Sequence, residues 1–141
     1  METEELLRKT ADSELFRLLD IGIESAEPGY VVLTMPVTPR VHQYIGIMNG
    51  GVSLLLAESA ASVGAVVSYD LTKVTPVGIE INGNHVRAVS KGIIRADARA
   101  VYQGRTLSVW QIDITDERGR LVCTSRCTLS LRKGAAPLPT D

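Results

Sequence analysis

The chain has 141 residues, 45% of them apolar and 22% charged. That length fits one domain, residues 1–141, and buries about 68–70% of the unfolded surface, so neither disulfides nor a structural metal is needed to supply a core. Fifteen basic against sixteen acidic side chains give a net charge of −1, with no basic excess to neutralise phosphates, which argues against nucleic acid as a partner; the apolar content excludes disorder across the chain.

Met1 to Lys9 is acidic and amphipathic and lacks the basic start and apolar run of a signal peptide. Leu6, Leu7, Leu15, Phe16, Leu18 and Leu19 predict one helix or two short ones over residues 2–19. Pro28-Gly29 marks a turn, and Tyr30 to Val37, rich in β-branched residues, reads as a strand ended by Pro36 and Pro39. Asn49-Gly50-Gly51 opens a helix with a favoured N-cap residue, and Val52 to Ser68 continues it. That helix is apolar almost all round, which predicts burial. The stretch Val52 to Val67 carries Glu58 and three serines and is short for a bilayer span.

After Pro76 the pattern changes to period 2. Ile94, Ala96, Ala98, Ala100 and Tyr102 alternate with Arg95, Asp97, Arg99 and Val101, as in a half-buried strand. His85 and Arg87 lie two apart on what reads as a strand face. Arg105 to Thr115 is a further strand holding Trp110, and Asp116-Glu117-Arg118-Gly119 is a hairpin turn. In the last strand Leu121, Cys123, Cys127, Leu129 and Leu131 share one face, and Thr124, Arg126, Thr128, Ser130 and Arg132 the other. Gly134 to Asp141, with Pro137 and Pro139, is expected to fray. The order predicts an α+β fold, an antiparallel sheet wrapped round a long buried helix. Its open edges and faces call for a second copy of the chain.

Cys123 and Cys127, four apart on a strand, have Cα atoms about 13 Å apart and cannot pair with each other. Neither lies near His42 or His85 in the spacing of a zinc motif, so no metal is expected. Two reduced core cysteines point to a cytoplasmic protein.

Glu58 is the only charged side chain between Gln43 and Asp70. A carboxylate among Leu54, Leu55, Ala57, Ala61 and Val63 is costly to bury, and desolvation raises its pKa toward the range of a useful base or nucleophile. The alternative is a helix face open to solvent, with Ser59 and Ser62 as its polar stripe. Ser62, four residues on, is within reach of Glu58. The Asn49-Gly50-Gly51 start offers unpaired N–H groups and a positive dipole end, fit to hold a developing oxyanion or simply an ordinary cap. Gly50 and Glu58 are about 12 Å apart along the axis, a spacing that brackets a substrate across a dimer interface. Gln43 in its loop says little alone. His85 with Arg87, and Gly104-Arg105-Thr106, are either phosphate contacts or plain solvated side chains.

Gln43 with Gly46-Ile47-Met48-Asn49-Gly50-Gly51, Leu56-Ala57-Glu58-Ser59, and Gly78-Ile79-Glu80-Ile81-Asn82-Gly83-Asn84-His85-Val86-Arg87 together resemble the hotdog-fold acyl-CoA thioesterases. Within them they are similar to the PaaI-type branch, with its 1,4-dihydroxy-2-naphthoyl-CoA and 4-hydroxybenzoyl-CoA thioesterases. Val109-Trp110-Gln111-Ile112, Gly119-Arg120-Leu121 and Ser125-Arg126 extend the likeness, which runs from about residue 12 to 132. The resemblance implies hydrolysis of an aryl or medium-chain acyl-CoA without a cofactor, in a homotetramer of hotdog dimers with sites at the dimer interface and no membrane association. By it Glu58 is the catalytic nucleophile or general base. The Gly50 N–H polarises the carbonyl, Gln43 orients the thioester or the water, and Ser62 supports Glu58. Asn84, His85, Arg87, Arg105 and Thr106 fall at coenzyme A contacts. Asn49 stands where the family has histidine. It forms hydrogen bonds but carries no proton at neutral pH. A coenzyme A thiol with pKa near about 8.5 leaves without much help, so a slower but active enzyme is expected.

The alternative reading is a non-catalytic hotdog module that binds acyl-CoA as sensor or carrier. The lone carboxylate on an apolar helix argues against it. A hydratase or dehydratase needs an acid–base pair that His42 and His85 do not form with Glu58.

Overall fold

The computed structural model describes residues 2–137. Helices α1 (Thr3–Ala11) and α2 (Glu14–Leu19) lead into strands β1 (Gly22–Glu27) and β2 (Tyr30–Pro36). A 3-10 turn over Pro39–Val41 precedes the long helix α3 (Gly50–Ser68). Strands β3 (Val74–His85), β4 (Ile93–Gln103), β5 (Leu107–Thr115) and β6 (Leu121–Lys133) complete the chain. The six strands form one sheet in the order β1-β2-β4-β5-β6-β3, antiparallel at every pairing. This is the predicted α+β hotdog architecture, a sheet curled round one helix.

Alternation decides which strand face meets α3. Leu33 and Met35, Ile94, Ala96 and Ala98, Ile112 and Ile114, and Cys127 and Leu129 all turn inward and are buried. Small residues on α3 (Ala57, Ala60, Ala61, Ala65) let the sheet come close. Gly64 is the closest approach: a Cβ there would lie 2.7 Å from Trp110 Cζ2. Trp110 is completely buried, and its indole N–H donates to Ser108 Oγ at 2.7 Å. By length and composition α3 is apolar enough to cross a bilayer, but here one side of it, with Leu56, Ala57, Ala60, Ala61 and Ala65, is buried in the core.

The outer sheet face is polar. Arg95 bridges Glu24 (2.6 Å) and Asp97 (3.1 Å), and Tyr30 donates its hydroxyl to Asp97 at 2.7 Å. Such exposed pairs contribute little stability; their effect is to keep this face in water.

Several expectations are corrected. Strand β1 carries no strand signal in its Glu, Ser and Ala residues, which have weak strand propensity; pairing with β2 makes it a strand. Strand β3 begins before Pro76 and includes it. Leu131, opposite Pro76, sends its N–H to Thr106 on its other side, so the missing proline donor faces the open sheet edge. Tyr102 is 60% exposed instead of inward, because a bulge between Ala100 and Tyr102 reverses the alternation. Arg87 lies beyond β3, not on its face: the Val86 and Arg87 N–H groups both turn to Val122 O. Arg105 and Thr106 belong to the turn before β5, where the Gly104 N–H donates to Leu107 O at 2.9 Å. Gly134, the first residue of the expected frayed tail, is held: its N–H donates to Lys73 O and its carbonyl accepts from Thr75 Oγ1. The rest of that tail from residue 138 lies outside the described residues.

Candidate active site

The loop between the 3-10 turn and α3 is built by its own backbone. The Gln43 N–H donates to Ile47 O (2.8 Å) and the Gly46 N–H to Gln43 O (3.0 Å), a tight reversal that Gly46 permits with φ +81°. The Gln43 side chain turns back to accept the Ile45 N–H at 2.5 Å. Two bonds fix the loop to its surroundings: Asn49 N–H to Val41 O (2.8 Å) and Met48 N–H to Val89 O (2.7 Å).

Asn49 is the N-cap of α3, its Oδ1 accepting the Gly51 N–H at 2.8 Å. The capping role weighed from the sequence is thus real, and it occupies the acceptor oxygen. Among the described residues no acceptor takes the Gly50 N–H, which sits at the positive end of a 19-residue helix. A cavity of about 360 Å³ opens here, lined by Gln43, Met48, Gly50, Ser53, His85 and Arg87 among others. His85 lies across the helix start: a Cβ on residue 50 would meet its Nε2 at 2.7 Å. Glycine at 50 leaves room for the imidazole to pack against the helix start.

A second cavity, of about 350 Å³, lies along α3 under α2 and is lined by Leu15, Phe16, Leu55, Glu58, Ser62 and Val66 among others. Leu55, Glu58, Ser59, Ser62 and Val66 recur at helical spacing on this side of α3. Ser13 caps α2 by accepting the Phe16 N–H, and the buried Phe16 lines the groove. Glu58 is half-buried, not buried as its apolar neighbours in sequence suggested, because none of the described residues closes the groove over it. Among the described residues no hydrogen bond joins Glu58 to Ser62, although both line the same groove.

The Cys127 thiol is pushed up to about 12, first by burial and then by the charges of Glu58 and Glu80. Burial also raises Cys123, helped by Asp113. Both thiols are free. A raised acid pKa stabilises the fold below the ordinary thiol value of about 8.5, and that stability is lost as pH rises beyond it. Iodoacetamide at pH 8 is therefore expected to spare both thiols in the native chain and to label both in denaturant, read by mass spectrometry. Denaturant midpoints should fall between pH 8 and pH 10. Native labelling at the unfolded rate would contradict this account.

The five residues assigned to coenzyme A by resemblance do not gather in one chain. Asn84, His85 and Arg87 are exposed beside the start of α3, and His85 packs on Gly50. Arg105 and Thr106 sit at the other end, where Tyr69, the C-cap of α3, donates its hydroxyl to Gly104 O at 3.1 Å. The helix between them is about 27 Å long at its normal rise. Sequence order concealed this separation, since both groups follow α3 and both sit near strand ends. Gly78 of β3 packs against the Glu58 side chain; its one sign along the chain is a glycine inside a strand.

A six-stranded antiparallel sheet wrapped round one long apolar helix defines the hotdog fold. Residues 45–123 match the family model of the thioesterase superfamily. The chain is 45% identical over 115 residues to the 1,4-dihydroxy-2-naphthoyl-CoA hydrolase of Listeria monocytogenes, covering 80% of this chain and 93% of that protein. It is 39% identical over 131 residues to the Escherichia coli protein of the same name, covering 92% and 94%. The solved structure of a mutant thioesterase PA1618 from Pseudomonas aeruginosa superposes with a TM-score of 0.86 at 33% identity, over 94% of this chain and 95% of that one. The chain belongs to the thioesterase superfamily.

Proposed function

We propose that the chain hydrolyses an acyl-coenzyme A thioester with an aryl or medium-chain acyl group, releasing the free acid and coenzyme A. The observation that carries this reading is Glu58, the one charged side chain of α3, opening into a groove whose other polar lining is the hydroxyls of Thr10, Ser59 and Ser62. A groove of about 350 Å³ falls within the roughly 300–1,000 Å³ of small-molecule sites. The aryl preference draws on the two naphthoyl-CoA hydrolases to which the chain is similar.

In this mechanism Glu58 either attacks the thioester carbonyl or removes a proton from the attacking water. Both routes put negative charge on the carbonyl oxygen, and the Gly50 N–H receives it. The thiolate leaves; where Glu58 is the nucleophile, water then cleaves the Glu58–acyl anhydride to free the acid and restore the carboxylate, and Gln43 orients the thioester or the water. Gly50 and Glu58 line separate cavities, about 12 Å apart along the axis, while a reacting carbonyl needs both within about 3 Å. The working site therefore takes Glu58 from one copy and Gln43 with Gly50 from another. The open edge of β3, at the end of the sheet, supports pairing of two copies. The same assembly offers a way to bring Arg105 and Thr106 of one copy toward the His85 and Arg87 of another. Two free, buried cysteines support a cytoplasmic location.

Thiol release from a panel of acyl-CoAs, spanning short and medium aliphatic, phenylacetyl, hydroxybenzoyl and naphthoyl groups, tests the substrate class. Subunit mixing tests the shared site. Glu58→Ala and Gln43→Ala chains, each inactive alone, are unfolded together and refolded in equal amounts. Random pairing should restore about 25% of wild-type activity, since half the dimers hold one intact site of two. No recovery in folded hybrids would place both halves of the site within one chain.

A further inference from the structure

We propose that Gly78 and the bulge beside it form the seat that positions the Glu58 carboxylate. The proposal rests on the reading of Glu58 as the group that performs the reaction, and it assigns a positioning role to a residue on a different element. A Cβ built on Gly78 would lie 2.5 Å from Glu58 Oε1, 3.3 Å from Cδ and 3.7 Å from Cγ. The three nearest atoms thus all belong to Glu58. The backbone itself has no need of glycine there, because Gly78 is not among the residues with positive φ. An alanine would fit this φ and would be expected to stabilise a strand interior. Contact with the carboxylate is what the position accommodates.

The strand is also distorted at this point. Gly78 pairs with Leu129 and Glu80 with Thr128, so Ile79 is an extra residue without a partner, 56% exposed. A bulge re-aims the chain locally and recurs next to reacting groups. Here it falls on the edge strand, facing the one carboxylate of α3. The flat glycine backbone and the bulge together set how far Glu58 extends toward the sheet edge, where the site shared with a second copy is proposed.

Gly78→Ala is the informative variant. The atom that must yield is the far end of a flexible side chain, so the fold should survive while the carboxylate moves. A displacement on the order of 1 Å should lower kcat about a hundredfold, with KM held within about threefold. Glu58→Asp, one methylene shorter, withdraws the carboxylate by another route. Because both variants act on one group, the double variant should be no slower than the slower single, instead of showing the product of the two losses. Melting temperature gives a readout independent of catalysis. Adding Gly78→Ala to Glu58→Ala should raise Tm more than adding it to wild type, since the crowding partner is gone. Equal Tm changes in the two backgrounds overturn the seat. Unchanged kcat in Gly78→Ala, with Glu58→Ala inactive, overturns the positioning role and leaves the proposed function standing. Full turnover in Glu58→Ala overturns the proposed function and the positioning role together.

Discussion

Replacing Glu58 by Ala should lower kcat by about 10²–10⁴-fold, the range of a positioned acid–base group, while circular dichroism and Tm stay near wild type. The fold should tolerate the change for local reasons. Glu58 is half-buried, and alanine is the best helix former. The core-facing Leu56 and Ala60 lie on the opposite side of α3 and keep their packing. KM should change little, because the groups offered to coenzyme A lie at the ends of the helix and not in the Glu58 groove. Glu58→Gln separates charge from shape. It keeps the volume that packs on Gly78 but can neither attack a carbonyl nor take a proton from water, so it should lose as much as Glu58→Ala. Full turnover in Glu58→Gln, measured as thiol release, would sink the mechanism.

Trp110→Ala should cost about 3–5 kcal/mol of stability, a large share of the roughly 5–15 kcal/mol that holds a domain of this kind folded. Trp110 is completely buried, and Gly64 of α3 is pressed against the ring. Removing the ring leaves a void between the helix and the middle of the sheet that the flanking strands cannot close without breaking register. It also strips the Ser108 hydroxyl, itself buried, of the indole N–H it accepts. Thermal denaturation should show Tm falling by about 10 °C or more. Trp110→Phe should recover much of the packing but not the hydrogen bond. A fall in Tm of only a degree or two for Trp110→Ala would mean that the helix is not seated on this ring.

Much of the architecture was legible along the chain because local chemistry and tertiary role agree there. Asn49-Gly50-Gly51 announces a helix start, and the structure begins α3 at Gly50 with Asn49 as its cap. The uniform apolarity of α3 matches a helix enclosed by a sheet. Alternation in β4 and β6 named the inward faces because each strand has one face on the helix and one toward water. The reading failed where tertiary context overrides local preference. Strand β1 forms from residues that favour no strand, because β2 offers it a ladder. Tyr102 turns outward because one extra residue, Val101, shifts the alternation by a single step.

For the site, the sequence by itself singled out the candidate groups. One carboxylate stands in a long apolar segment, one glycine-opened helix start precedes it, and the fixed helical rise sets their separation. Only the tertiary structure decided which of these groups can meet. It put Gln43, Gly50 and His85 in one cavity and Glu58 and Ser62 in another. It also set Arg105 and Thr106 at the opposite end of α3 from His85, and brought Gly78, twenty residues beyond Glu58 along the chain, into contact with it. The reason is physical: helix periodicity fixes neighbours three and four apart, whereas contacts between a helix and a strand depend on the curl of the sheet and the placement of its bulges.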